Sequence, residues 1–172
     1  SRRQAPANHE SAAMTASADD TKTAALAVSL SIQNDDWAKL DSLLGPGFSY
    51  SGDGLSFSRD EYIGFMQDMK TAFSGMKMEF THVLVDGEFV TINFISRARN
   101  VGKFMGAPAT QKNIAVRGTL IRQMRDGKAI QEWQTTDLLG VMTQMGFGAL
   151  FGYSVAVGLL KLKTKPPVKK PW

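Results

Sequence analysis

Two hydrophobic periods divide the chain. From Thr21 to Asn34 apolar residues recur at helical spacing (Ala24, Leu26, Ala27, Leu30), and Asp19 and Asp20 sit where an acid favours a helix amino end. Trp37, Leu40 and Leu44 mark a second short helix, stopped by Gly45-Pro46-Gly47. Ser58 and Glu61 form a capping-box pattern, followed by one stripe of Tyr62, Phe65, Met66, Met69 and Phe73, which predicts a third helix over about 59–74.

After Gly75 the period falls to two. Met78, Phe80, His82 and Leu84 alternate along one strand, Asp86-Gly87 turns the chain, and Val90, Ile92 and Phe94 share a face of the next. A strand over about 112–125 carries Ile114, Val116 and Leu120, and Asp126-Gly127 turns into the returning strand "AIQEWQTTD". Leu138 to Met145 reads as a short helix ended by Gly146. Helices followed by hairpin-linked strands predict an α+β fold: a cone-shaped, curved antiparallel sheet covered by three N-terminal helices, with a pocket inside the cone. The expected organisation is an arm over 1–19, the cone domain over 20–147 and an extension over 148–172.

Composition narrows the chemistry. The 172 residues are 43% hydrophobic, as expected of one packed domain. The net charge of +4 comes from the carboxyl end, because removing Lys161, Lys163, Lys165, Lys169 and Lys170 leaves 15 basic against 16 acidic residues. No run of Lys and Arg interleaved with aromatics marks the body as a nucleic-acid surface. Zero cysteines excludes disulfides and thiolate metal sites. With His9 and His82 as the sole histidines, neither a metal nor a cofactor is expected. The longest apolar run, 147–160, is too short to span a bilayer. The Ala- and Ser-rich beginning with Arg2 and Arg3 resembles the surroundings of a processed targeting sequence, so a plastid or mitochondrial setting is expected.

Three segments together, "FSRDEYIGFM", "GKFMGAPAT" and "RDGKAIQEWQTTDLLGVMTQMG", resemble the SnoaL-like polyketide cyclase group of the nuclear-transport-factor-2-like superfamily over about residues 20–147. The most specific correspondence is Gly127, Lys128, Ile130, Glu132, Trp133, Asp137, Gln144 and Gly146. The resemblance implies a cone of about four long strands whose pocket often holds a flat hydrophobic molecule, and a role for Asp137 as acid and base in an intramolecular aldol closure. Homodimers through the outer sheet face are frequent in that superfamily, so a homodimer is an open expectation.

Trp133, Thr135 and Asp137 fall on one strand face if no bulge intervenes, which would turn Asp137 into the cavity. Alternatively, Asp137 caps the helix beginning at Leu138. Trp37, Tyr50, Phe65, Met69, Phe80, His82 and Trp133 are the expected pocket residues. The chain departs from the cyclase pattern at Arg99 and Asn100, where a Thr-His pair is frequent, and no histidine lies between Lys112 and Asp137. Tyr50, Tyr62, Arg97 and Arg117 do not match the acid-Arg or acid-Tyr patterns of epoxide hydrolase or isomerase relatives by spacing. "GKFMGAPAT" lacks the context of a phosphate loop.

Phe147, Leu150, Phe151, Leu159 and Leu160 are too apolar for a solvated tail, while Lys161 and Lys163 open a Lys/Pro-rich ending. These seven residues are the expected partner-binding set. The function expected is that of a non-catalytic accessory subunit in a larger, organellar, membrane-associated assembly. The alternative is a small cofactor-independent enzyme or binding protein for a flat hydrophobic ligand, with Asp137 as acid and base.

Overall fold

The computed structural model describes residues 17–146 together with Phe151 and Val155. Helix α1 spans Ala18–Gln33, with the Ser17 hydroxyl accepting from the Asp20 amide, and α2 spans Trp37–Leu43, with Asp36 accepting from the Lys39 amide. Strands β1 (Leu44–Gly52) and β2 (Leu55–Ser58) lead into α3 (Arg59–Ala72), whose Ser58/Glu61 capping box is formed. The long strands β3 (Phe73–Asp86), β4 (Phe89–Asn100), β5 (Asn113–Arg125) and β6 (Lys128–Thr136) follow, and α4 (Leu138–Met145) closes the domain.

The six strands form one sheet in the order β2-β1-β6-β5-β4-β3. The expectation of a wholly antiparallel sheet is corrected at one ladder, because β1 and β6 are parallel. β1 and β6 are separated in sequence by β2, α3 and the β3–β5 strands, so no hairpin joins them and their pairing is free to be parallel.

Bulges bend the sheet and decide which side chains face inward. At β3, Phe80 pairs with Phe94 but His82 pairs with Asn93, leaving Thr81 extra. The inward set therefore changes from Met78 and Phe80 to Val83 and Val85, which pack on the core, while Leu84 is 68% exposed. At β6, Gln123 pairs with Gln131 but Met124 with Ala129, leaving Ile130 extra. Ala129 and Glu132, three residues apart, are thus both buried.

The main core joins Ala25, Val28 and Ile32 of α1, Leu40 and Leu44, Tyr62 and Met66 of α3, and Val90, Ile92 and Leu120 of the sheet. The buried side of α1 is rotated from the expected Ala24/Leu26/Ala27/Leu30 set, and Leu30 is 38% exposed. A smaller cluster at the other end packs Val141 and Met145 of α4 against Phe73, Ala107 and Ile114.

Candidate functional site

Between α3, α4 and the inner sheet face lies a cavity of about 180 Å³. Its walls are apolar: Phe65, Phe73, Phe94, Phe104 and seven of the chain's nine methionines (Met66, Met69, Met76, Met78, Met105, Met142, Met145). Methionine is unbranched and polarisable, so such a lining reshapes around a guest at small cost and favours contact with aromatic rings. Gly118 leaves room for the Phe94 ring of that wall, because a Cβ there would sit 2.6 Å from Phe94 Cζ.

At the end away from α4 the wall becomes polar. Arg122 and Glu132 are each 1% exposed and directly opposed across the β5–β6 ladder. Arg122 Nε donates to Glu132 Oε2 at 2.7 Å and Nη2 lies 2.5 Å from the same oxygen. Arg122 Nη1 also donates to the Ala25 carbonyl of α1, and Nη1 and Nη2 reach Ser29 Oγ at 3.3 and 3.4 Å. Tyr62 Oη donates to Glu132 Oε1 at 3.3 Å. Both charges are thus taken out of water with several partners each, the condition under which a buried pair is tolerated. It also explains the face of α1 that turns inward, since Ala25 and Ser29 are what Arg122 holds.

Burial, followed by the Glu132 carboxylate, pushes the Tyr62 phenol well above its ordinary range. Tyr50 is raised in the same direction by burial, Glu132 and then Asp53. Both phenols therefore stay neutral, and that of Tyr62 donates to Glu132. Tyr50, Asp53, Gln134 and Thr136 continue the polar strip towards α4, and Asp53 Oδ1 accepts from the Thr136 amide at 2.8 Å.

Of the expected pocket residues, Tyr50, Phe65 and Met69 line the cavity. Trp37 and Phe80 are half-buried and pack on the core outside it. His82 is exposed, put on the outer face by the Thr81 bulge. Trp133 is also on the outer face, its ring 6.5 Å from that of Phe89, because the Ile130 bulge turns Glu132, Gln134 and Thr136 inward instead. The same displacement corrects the inward orientation expected for Asp137. Its side chain is exposed and caps α4, with Oδ1 accepting from the Gly140 amide at 2.8 Å.

Among the expected partner-binding residues, Phe151 is 73% exposed, while Phe147, Leu150, Leu159, Leu160, Lys161 and Lys163 lie outside the described residues. Sequence reasoning missed Arg122 and Glu132. The available signal was Arg122 itself, a charge between Leu120 and Met124 on the strand's apolar face. No group of three or more metal-ligating side chains is found among the described residues, and no helix there is long and apolar enough to cross a membrane.

A conical sheet closed by helices over an apolar cavity with one polar end defines a class of small-molecule pockets. The family model of the SnoaL-like polyketide cyclases matches residues 22–145, and the chain belongs to that family. Its fold is similar to that of AclR, a candidate hydroxylase from Streptomyces galilaeus, with a TM-score of 0.69 at 17% identity, covering 76% of this chain and 98% of that one. IdmH, a candidate polyketide cyclase from Streptomyces antibioticus, gives 0.67 at 18% identity over 74% and 99%. A candidate SnoaL-like polyketide cyclase from Shewanella denitrificans gives 0.66 at 15% over 73% and 96%. No curated protein matches the chain by sequence.

Proposed function

We propose that this protein binds a small, neutral, largely apolar molecule inside the cone and holds the polar end of that molecule through the neutral Tyr50 phenol, the Tyr62 proton being committed to Glu132. The observation that carries this reading is the methionine- and phenylalanine-lined cavity ending on Tyr50 and the Arg122–Glu132–Tyr62 cluster. The internal pairing of Arg122 with Glu132 leaves no free cation in that cluster to match an anionic guest. Binding rather than turnover fits the placement of the acids: Asp137 caps α4 outside the cavity, Glu132 is held on both oxygens by Arg122 and Tyr62, and Asp53 accepts from the Thr136 amide. Titration of the full chain with a neutral environment-sensitive fluorophore such as N-phenyl-1-naphthylamine tests it. Met69→Trp, which fills the cavity, is expected to weaken binding at least about tenfold. Unchanged affinity in that variant defeats the proposal.

A second reading is favoured by Phe151, which is 73% exposed in an apolar stretch beyond the family match. In this reading the domain is an accessory subunit that docks through its extension, in an organellar and membrane-associated setting. Removal of the residues after Gly146 should then shift the protein, in native extracts, from a large particle to the free chain. Co-elution of the truncated and full-length forms in the large particle would exclude it.

A further inference from the structure

The residues that sequence left scattered as Lys77, Arg97, Arg99 and Arg117 converge on the outer sheet face at the end where α4 closes the cavity. Met76, Met78, Ser96, Ala98 and Val116 line the cavity, so the residues between them project from the opposite face. All four cations are exposed. Lys77 is directly opposed to Arg97, Arg99 to Asn113, and Arg117 to Ile95, on three adjacent strands. At about 4.8 Å between strands and about 6.8 Å per two residues, the four charges lie within a field of roughly 10 by 14 Å. That is close to one screening length, so their potentials add.

Charge balance on this face is poor. Glu79 pairs with Arg97 at 2.8 Å. Among the described residues, Lys77, Arg99, Arg117 and the neighbouring Lys112 form no ion pair, and Asp137 is the other acid nearby. Like charges directly opposed on a ladder destabilise it. The one such pair, Lys77 and Arg97, is offset in part by Glu79, whereas Arg99 and Arg117 form no ion pair among the described residues.

A second observation concerns where the chain leaves the domain. Gln144 donates to the Ala115 carbonyl at 3.0 Å and accepts from its amide at 2.7 Å, which pins α4 to β5 between the positions of Asn113 and Arg117. A Cβ at Gly146 would lie 3.4 Å from Lys112 Nζ. Gly146, the residue that precedes the apolar run 147–160 in sequence, therefore lies at the edge of the basic field.

We propose that this outer face, with Lys77, Arg97, Arg99 and Arg117, is a docking surface for a bilayer carrying anionic phospholipids. Exposed cations on three adjacent strands of one sheet face meet the anionic headgroups, with no part of the chain having to span the bilayer. A single-stranded nucleic acid would need ring platforms, and the rows holding the cations present Ser74, Asn113, Ala115 and Ile95 instead. This surface is separate from the cavity, so its failure leaves the ligand-binding reading standing.

The test is flotation of the full chain with vesicles of phosphatidylcholine alone and with phosphatidylserine added, at low and high salt. The expected result is salt-sensitive binding to the anionic vesicles only. The triple variant Lys77→Gln/Arg99→Gln/Arg117→Gln should lose affinity by on the order of a hundredfold, about fivefold per charge. A control of equal net charge, Lys22→Gln/Lys39→Gln/Lys128→Gln, should bind as the unmodified chain does. Equal losses in the two variants, no preference for anionic vesicles, or stronger binding to a DNA duplex than to the vesicles would overturn the proposal. Melting curves of both variants, expected to overlay that of the unmodified protein, show that the comparison is between folded proteins.

Discussion

Arg122 and Glu132 are exact cross-strand partners and both are buried, so each is the other's main source of solvation. Removing one member leaves an uncompensated charge in the core. Arg122→Met or Glu132→Leu alone should cost about 3–5 kcal/mol, whereas the double replacement should recover most of that loss. Chemical denaturation of the four proteins as a double-mutant cycle measures the coupling, and additive losses would contradict the pairing.

The two buried phenols give a pH signature. An unfolded tyrosine ionises near 10.0, but burial beside Glu132 raises Tyr50 and Tyr62 above that. Above about pH 10 the unfolded chain therefore releases protons that the native state keeps. Stability is fully present below that pH and falls as pH rises through the folded-state values. Phenolate absorbance at pH 11 should rise sharply on adding denaturant, and Tyr50→Phe/Tyr62→Phe should remove most of that rise.

Asp137 contributes through its cap. Asp137→Ala should cost about 1 kcal/mol, while Asp137→Asn, which keeps the accepting oxygen at Gly140, should cost only a few tenths. Fluorophore affinity should be the same in all three proteins. A loss of binding in Asp137→Asn at unchanged melting temperature would instead give the carboxyl a role in the pocket.

Gly118 is required by the ring beside it. An added Cβ would meet Phe94 Cζ at 2.6 Å and the Thr135 carbonyl at 3.0 Å. Gly118→Ala should destabilise by about 1–3 kcal/mol. Adding Phe94→Leu should return part of that, since it removes the nearer contact; thermal melts of both variants decide.

Most of the scaffold was legible in the residues. The α3 capping box, the Asp86-Gly87 and Asp126-Gly127 turns and the α4 boundaries all follow from local chemistry, and the structure forms them as expected. The parallel β1–β6 ladder was not legible, because no local signal states which strand an edge segment joins. The site was only partly so. Tyr50, Phe65 and Met69 could be placed from stripes and aromatic strands, but His82, Trp133 and Asp137 were assigned to the wrong face. Each lies beyond a bulge, at Thr81 or Ile130, where one extra residue inverts the alternation that sequence reading relies on. Arg122 and Glu132 escaped because charged residues are read as solvated unless their partner across the ladder is known.

The amide of Gln144 stands in for a continuation of β6 at Ala115, offering one donor and one acceptor where that strand has ended. A splint of this kind is reversible in a way that a true ladder is not, since a single rotamer change releases it. The helix roofing the cavity and the starting point of the carboxyl extension thus share one fastening, and whatever pulls on the extension also tugs on the roof.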